Sequence, residues 1–173
     1  MRARCLSLLL SSCVLTFFVS PTWGQENAMP EISFSCLGDR DIPITVAENK
    51  AGQTENIFVW QENILAGKTT DNPTKLCHDV AHRLNEFQDK RGDEANSSSF
   101  YLSAQQYSGI PIICISYSRG CEQVLFTLNR NGEERTVGER VLNSIVAPNI
   151  RKSFLNARSA NFRAYKVNLF SDE

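Results

Sequence analysis

Two histidines stand four residues apart in His78-Asp79-Val80-Ala81-His82. On a helix this spacing sets both imidazoles on one stripe, where they can share a metal ion, and Glu86 one turn further along offers a third ligand. A zinc hydrolase of the H-E-x-x-H kind needs a glutamate beside the first histidine as general base. Here the position holds Asp79, shorter by one carbon. On a helical wheel His78 and His82 lie roughly 110–150° from the centre of the apolar face, so both face solvent instead of a shaped, partly dry cavity. Solvated surface histidines are the favoured reading. A metal-dependent hydrolase using His78 and His82 is the alternative.

Other catalytic patterns are missing. Ser108-Gly109-Ile110-Pro111 is a turn before a strand and not a G-x-S-x-G elbow, no C-x-x-C occurs, and the nine glycines are scattered singly and form no phosphate loop. Trp60, Tyr101 and Tyr107 read as core or sheet-face residues before they read as a ligand platform. The expectation is a protein without enzymatic activity, catalytic residues or cofactor.

Four cysteines follow the leader: Cys36, Cys77, Cys114 and Cys121. An even count in an exported chain favours disulfides, and zinc would want paired short spacings that are absent. Three connectivities are open. Cys114 and Cys121 flank a hairpin-sized stretch, which favours a local bridge between them and leaves Cys36 to pair with Cys77.

Export itself is read from the first residues. Arg2 and Arg4 precede the apolar run Leu6 to Val19, and small residues lead to Gly24, the pattern of a cleaved secretory signal over residues 1–24. A lipoprotein reading, with Leu10-Ser11-Ser12-Cys13 as the processing box and Cys13 acylated, competes with it. The apolar run continues past Cys13, where a lipoprotein should turn polar. Beyond the leader about 149 residues remain, enough for one domain with its own core. Their 16 bases against 19 acids give a net charge near −3, which argues against nucleic acid as a partner.

The elements that must position these residues follow from periodicity. Ile32 to Leu37, Ile42 to Val46 and Ile57 to Trp60 read as short strands in an antiparallel meander, with a turn at Lys50-Ala51-Gly52-Gln53. Asn72 and Pro73 open an amphipathic helix over about residues 73–90, with Cys77, Val80, Ala81, Leu84 and Phe87 on one face. Phe100 to Tyr107, Ile110 to Ser116 and Val124 to Leu128 are three further strands, and the run Ile112 to Ile115 marks a central one. Asn96-Ser97-Ser98 has the form of a glycosylation sequon on a polar loop. Thr136 and Glu139 suggest a capping box for a short helix over about 137–146. The fold class expected is α+β: one antiparallel sheet of about six strands, these two helices and two disulfides.

Charge divides the chain once more. Residues 25–147 carry 11 bases against 17 acids, whereas 148–173 carry Arg151, Lys152, Arg158, Arg163 and Lys166 against two acids. The stretch 148–173 is therefore set apart as a basic tail. Its aromatic residues allow either docking on the acidic domain, the favoured reading, or contact of those five bases with an anionic membrane.

Several segments together resemble the circadian oscillating protein family of cyanobacteria: Phe34-Ser35-Cys36, Lys75-Leu76-Cys77, Gly109-Ile110-Pro111-Ile112-Ile113-Cys114, Cys121 and Leu125-Phe126-Thr127-Leu128. The likeness covers roughly residues 32 to 146. It implies an exported, extracytoplasmic and membrane-associated protein and brings no catalytic residue with it. At His78 and His82 the chain departs from the family, which commonly has other polar residues there. The function expected is binding or scaffolding at the cell envelope, in the periplasm, the thylakoid lumen or outside the cell. Its partner is an envelope or membrane component, and the sequence leaves the oligomeric state open.

Overall fold

The computed structural model describes residues 32–39, 41–90, 99–118, 120–129, 134–152 and 164–170. The leader with Cys13, the sequon at Asn96, and Arg158 and Arg163 lie outside them. So do the side chains of Arg151 and Lys152.

β1 (Ile32–Leu37), β2 (Ile44–Asn49) and β3 (Thr54–Val59) form an antiparallel three-stranded sheet in the order β1-β2-β3. Ile32 and Phe34 point inward between exposed Ser33 and Ser35, as period-two alternation requires. The β2–β3 turn is held by the Asn49 carboxamide, whose oxygen accepts from the amides of Ala51 and Gln53, both at 3.0 Å. Gly52 takes the positive φ of 75° there. β2 begins two residues later than expected. Pro43 has no amide hydrogen to give a ladder and supplies only its carbonyl, which accepts from Trp60 N at 2.9 Å.

α1 (Glu62–Leu65) and α2 (Pro73–Asp89) then carry the chain across the core. The expected start of α2 is present in detail: Asn72 Oδ1 accepts from Lys75 N at 2.8 Å and Pro73 stands in the first turn. All five residues assigned to its apolar face are buried, together with Leu76 and Gln88.

A second antiparallel sheet, in the order β6-β5-β4-β7, contains β4 (Ser99–Tyr107), β5 (Ile110–Ser116), β6 (Gln123–Thr127) and β7 (Ala164–Asn168). β5 is central and buried from Pro111 to Ser116. Ser108 and Gly109 join β4 to β5 with φ of 51° and 77°, a two-residue turn whose twist suits a hairpin. The strands thus make two sheets and not one, and the outer edge of β3 gives the reason. Phe58 bridges to Val146, the Ala147 amide donates to Ile57 O, and Asn149 Nδ2 donates to Asn56 O, so no edge is left for β4 to join.

α3 spans Glu134–Ile145, starting earlier than the expected 137, so Thr136 lies within its first turn and does not precede it. Gly138 brings α3 close to β4, since a Cβ there would stand 3.2 Å from the Ala104 Cβ. Pro148 opens a further short helix, α4 (Pro148–Lys152). The stretch set apart by its charge therefore supplies α4 and β7. Residues 164–168 form a strand, with Tyr165 and Val167 buried and Lys166 exposed.

One bulge in each sheet explains the core. Val46 pairs with Asn56 where Thr45 pairs with Phe58, and Cys114 pairs with Val124 where Ile113 pairs with Phe126. The extra residues, Ile57 and Leu125, turn inward together with Phe58 and Phe126. Trp60 fills the space between them, with ring centroids 5.4 Å from Phe58 and 5.5 Å from Phe126.

α2 also closes two sheet edges with polar side chains. Asn85 Oδ1 accepts from Phe34 N and its Nδ2 donates to Phe34 O, both at 2.8 Å, so one carboxamide pairs with β1 as a neighbouring strand would. Arg83 Nη1 donates to Leu125 O at 2.5 Å on β6. Asn85→Ala leaves both Phe34 groups unpaired and is expected to cost about 2–3 kcal/mol in denaturant unfolding. Asn85→Asp keeps the acceptor but loses the donor, and should recover part of that loss.

Candidate functional site

The described structure places the two histidines in different surroundings. His78 lies beside the turn after β1, its Nε2 3.1 Å from where a Cβ on Gly38 would stand. His82 points to solvent with its side chain 73 % exposed, and its Nδ1 is 3.6 Å from Glu86 Oε1. Among the described residues no three His, Cys, Asp or Glu side chains converge to hold a metal ion, so His78, His82 and Glu86 are not brought together as the ligand set of the alternative reading. Asp79 is taken up elsewhere: Lys75 Nζ meets Asp71 at 2.9 Å and Asp79 at 3.1 Å. Hydrogen bonds to Asp71 and then Asp79 raise the Lys75 pKa above its ordinary value. A raised cation stabilises the fold below its ordinary pKa and ceases to do so as pH climbs through the folded value, so this strap is intact at neutral pH. His82→Ala is expected to change stability by less than about 0.5 kcal/mol in thermal melts, as an exposed side chain without structural role should.

Both disulfides have the expected pairing. Cys36 joins Cys77 across β1 and α2 with Cα atoms 5.5 Å apart, and Cys114 joins Cys121 with Cα atoms 5.2 Å apart. The first is continuous with a buried polar chain: Trp60 Nε1 donates to Thr45 Oγ1 at 2.8 Å, and Thr45 Oγ1 lies 3.6 Å from Cys77 Sγ. Satisfied in this way, the indole nitrogen and the hydroxyl sit in the core without penalty. The second bridge ties a loop over the outer face of the second sheet, where the Ser103 and Ser116 hydroxyls both donate to Gly120 O at 3.3 Å.

A concavity among the described residues meets the first of these braces through Trp60. An open groove of about 750 Å³ is lined by Asp41 to Pro43, Trp60 to Asn63, Ala66, Pro73 and Thr74. Trp60 is fully buried beneath it, while Ile42 is 43 % exposed. Pro43 directs this, because the chain ahead of it is outside the ladder and Ile42 turns toward the groove. Among the described residues the carboxylates of Asp41 and Glu62 meet no donor or cation. The side chains of Gln61, Asn63 and Thr74 likewise have no internal hydrogen bond. The lysines that follow in sequence are engaged, Lys75 with its two aspartates and Lys68 with Ile64 O at 2.6 Å.

Sequence reasoning did not single out this groove. Its walls come from three short segments, 41–43, 60–66 and 73–74, whose sequence signals mark strand and helix ends and say nothing of their being brought together. The one available hint was Ile42-Pro43, an apolar residue ahead of a proline that cannot continue a ladder.

No helix among the described residues is long and apolar enough to cross a membrane. The two disulfides point to an oxidising, extracytoplasmic environment. No curated protein and no solved structure matches the chain. One family model matches, described as circadian oscillating protein COP23, over residues 33–170. The match runs through β7, beyond the residues that carry the likeness in the sequence.

Proposed function

The chain belongs to the circadian oscillating protein family, and we propose that it works as an exported, non-enzymatic binding domain at the cell envelope. The observation that carries this reading is the groove: five polar side chains without internal partners among the described residues stand around exposed Ile42, beside Trp60, whose indole nitrogen is held by Thr45 next to the Cys36–Cys77 bridge. A rigid surround lowers the entropy lost on binding, which is how a small domain gains affinity from a modest surface. The signal-like leader and the oxidised cysteines support its delivery to an extracytoplasmic compartment.

Fractionation of cells that carry the full-length chain tests the reading. Wild type is expected in the envelope fraction. Ala66→Trp, which fills the groove from an exposed position, is expected in the soluble extracytoplasmic fraction with an unchanged melting temperature. Identical fractionation of the two would overturn the reading. So would turnover of an ester, peptide or glycan library by purified protein that is lost in Ala66→Trp.

A further inference from the structure

We propose that the groove takes an extended polypeptide segment in which lysine or arginine alternates with small apolar residues. This rests on the binding-domain reading above and adds the chemistry of the partner. Each part of the lining matches one part of such a segment. The Asp41 and Glu62 carboxylates, which have no cation of their own among the described residues, suit the basic side chains. Gln61 and Asn63 offer both donor and acceptor, the pair that a peptide backbone requires. Ile42, Pro43 and Pro73 supply apolar contact for the small side chains.

Other ligand classes fit poorly. Two carboxylates repel an anion. A sugar ring would want an exposed aromatic face, and the one aromatic residue of the lining, Trp60, is fully buried. A metal ion would want a third ligand, which the described residues do not bring there. The chain beyond the leader, its basic stretch 148–173 included, carries a net charge near −3, and this adds a modest long-range attraction that steers a basic segment toward the surface before contact.

The test uses purified mature protein with both disulfides intact and a fluorescein-labelled octapeptide of alternating lysine and valine, followed by anisotropy. Wild type should bind it, and raising salt from 0.15 M to 1 M should weaken binding, as the screening length shrinks to about 3 Å. Asp41→Asn with Glu62→Gln should weaken binding about tenfold, whereas Glu48→Gln with Glu86→Gln, an equal loss of charge outside the groove, should leave it within twofold. A peptide with glutamate in place of lysine should not bind. Equal weakening by the two double variants would overturn the proposal, because attraction to the acidic surface alone would then account for binding. Failure of the lysine peptide to bind, while Ala66→Trp still frees the chain from the envelope, would also overturn it and leave the binding-domain reading in place.

Discussion

A chain ended after Ala147 is expected not to fold. The deletion removes Ile150, Tyr165, Val167 and Leu169, all buried in the one core. At about 2 kcal/mol for each large apolar side chain, the loss is roughly 8 kcal/mol before any hydrogen bond is counted. It also strips β4 of its partner from Ser99 to Ser103, where Val167 pairs with Phe100 and Tyr165 with Leu102. Glu55 Oε2, which accepts from Phe170 N at 2.9 Å, would lose that donor as well. Domains of this size are stable by only about 5–15 kcal/mol, so the sum removes most or all of the margin. Circular dichroism and thermal scans of the truncated chain should show no cooperative transition, while Lys166→Ser, on the exposed face of β7, should melt within a few degrees of wild type. A cooperative melt of the truncated chain near the wild-type temperature would contradict the placement of β7 in the core. Membrane contact through the basic residues is therefore better tested with point variants than by truncation.

The two disulfides should differ in what they contribute. Cys36 and Cys77 are 41 residues apart and Cys114 and Cys121 are 7 apart, so in the chain-entropy model the bridges stabilise by about 4 and about 2.5 kcal/mol. Cys36→Ala with Cys77→Ala should lower the melting temperature by roughly 10–20 °C, and Cys114→Ala with Cys121→Ala by roughly 6–12 °C. The first pair should also loosen the hold on Trp60 beside the groove, because Thr45, which accepts from the Trp60 indole, loses its sulfur neighbour. Equal shifts for the two pairs, or a reduced wild type that melts with the oxidised one, would contradict the assignment.

Local chemistry accounts for what could be read from the sequence. Asn72-Pro73 and the spacing of Cys77, Val80, Ala81, Leu84 and Phe87 specify α2 almost to the residue, because a cap and an apolar stripe are both near-neighbour properties. The apolar run in β5 and the turn at Ser108-Gly109 were equally visible, and the cysteine pairing was the favoured one of the three open. What stayed hidden depends on distant pairing. Closure of the β3 edge by residues 146–149 splits the strands into two sheets, and nothing in either segment announces it. β7 has only two inward residues among five, set in a stretch whose positive charge dominates its composition. Asn85 and Arg83 stand among the polar residues of α2, where a helical wheel assigns them to solvent, yet both complete sheet edges. The consecutive apolar pairs Ile57-Phe58 and Leu125-Phe126 did carry a signal, since strict alternation cannot bury both members without a bulge.

Photo-crosslinking in intact envelope tests the central claim most directly. A photoreactive side chain placed at Asn63, within the groove, is compared with one placed at Tyr107, which is 72 % exposed at the end of β4 and does not line the groove. A discrete polypeptide adduct from position 63 that is absent from position 107, and absent again when Ala66→Trp is added, is the predicted result. Adducts of the same identity from both positions, or none from position 63 in cells where the protein is envelope-bound, would contradict a binding function seated in this groove.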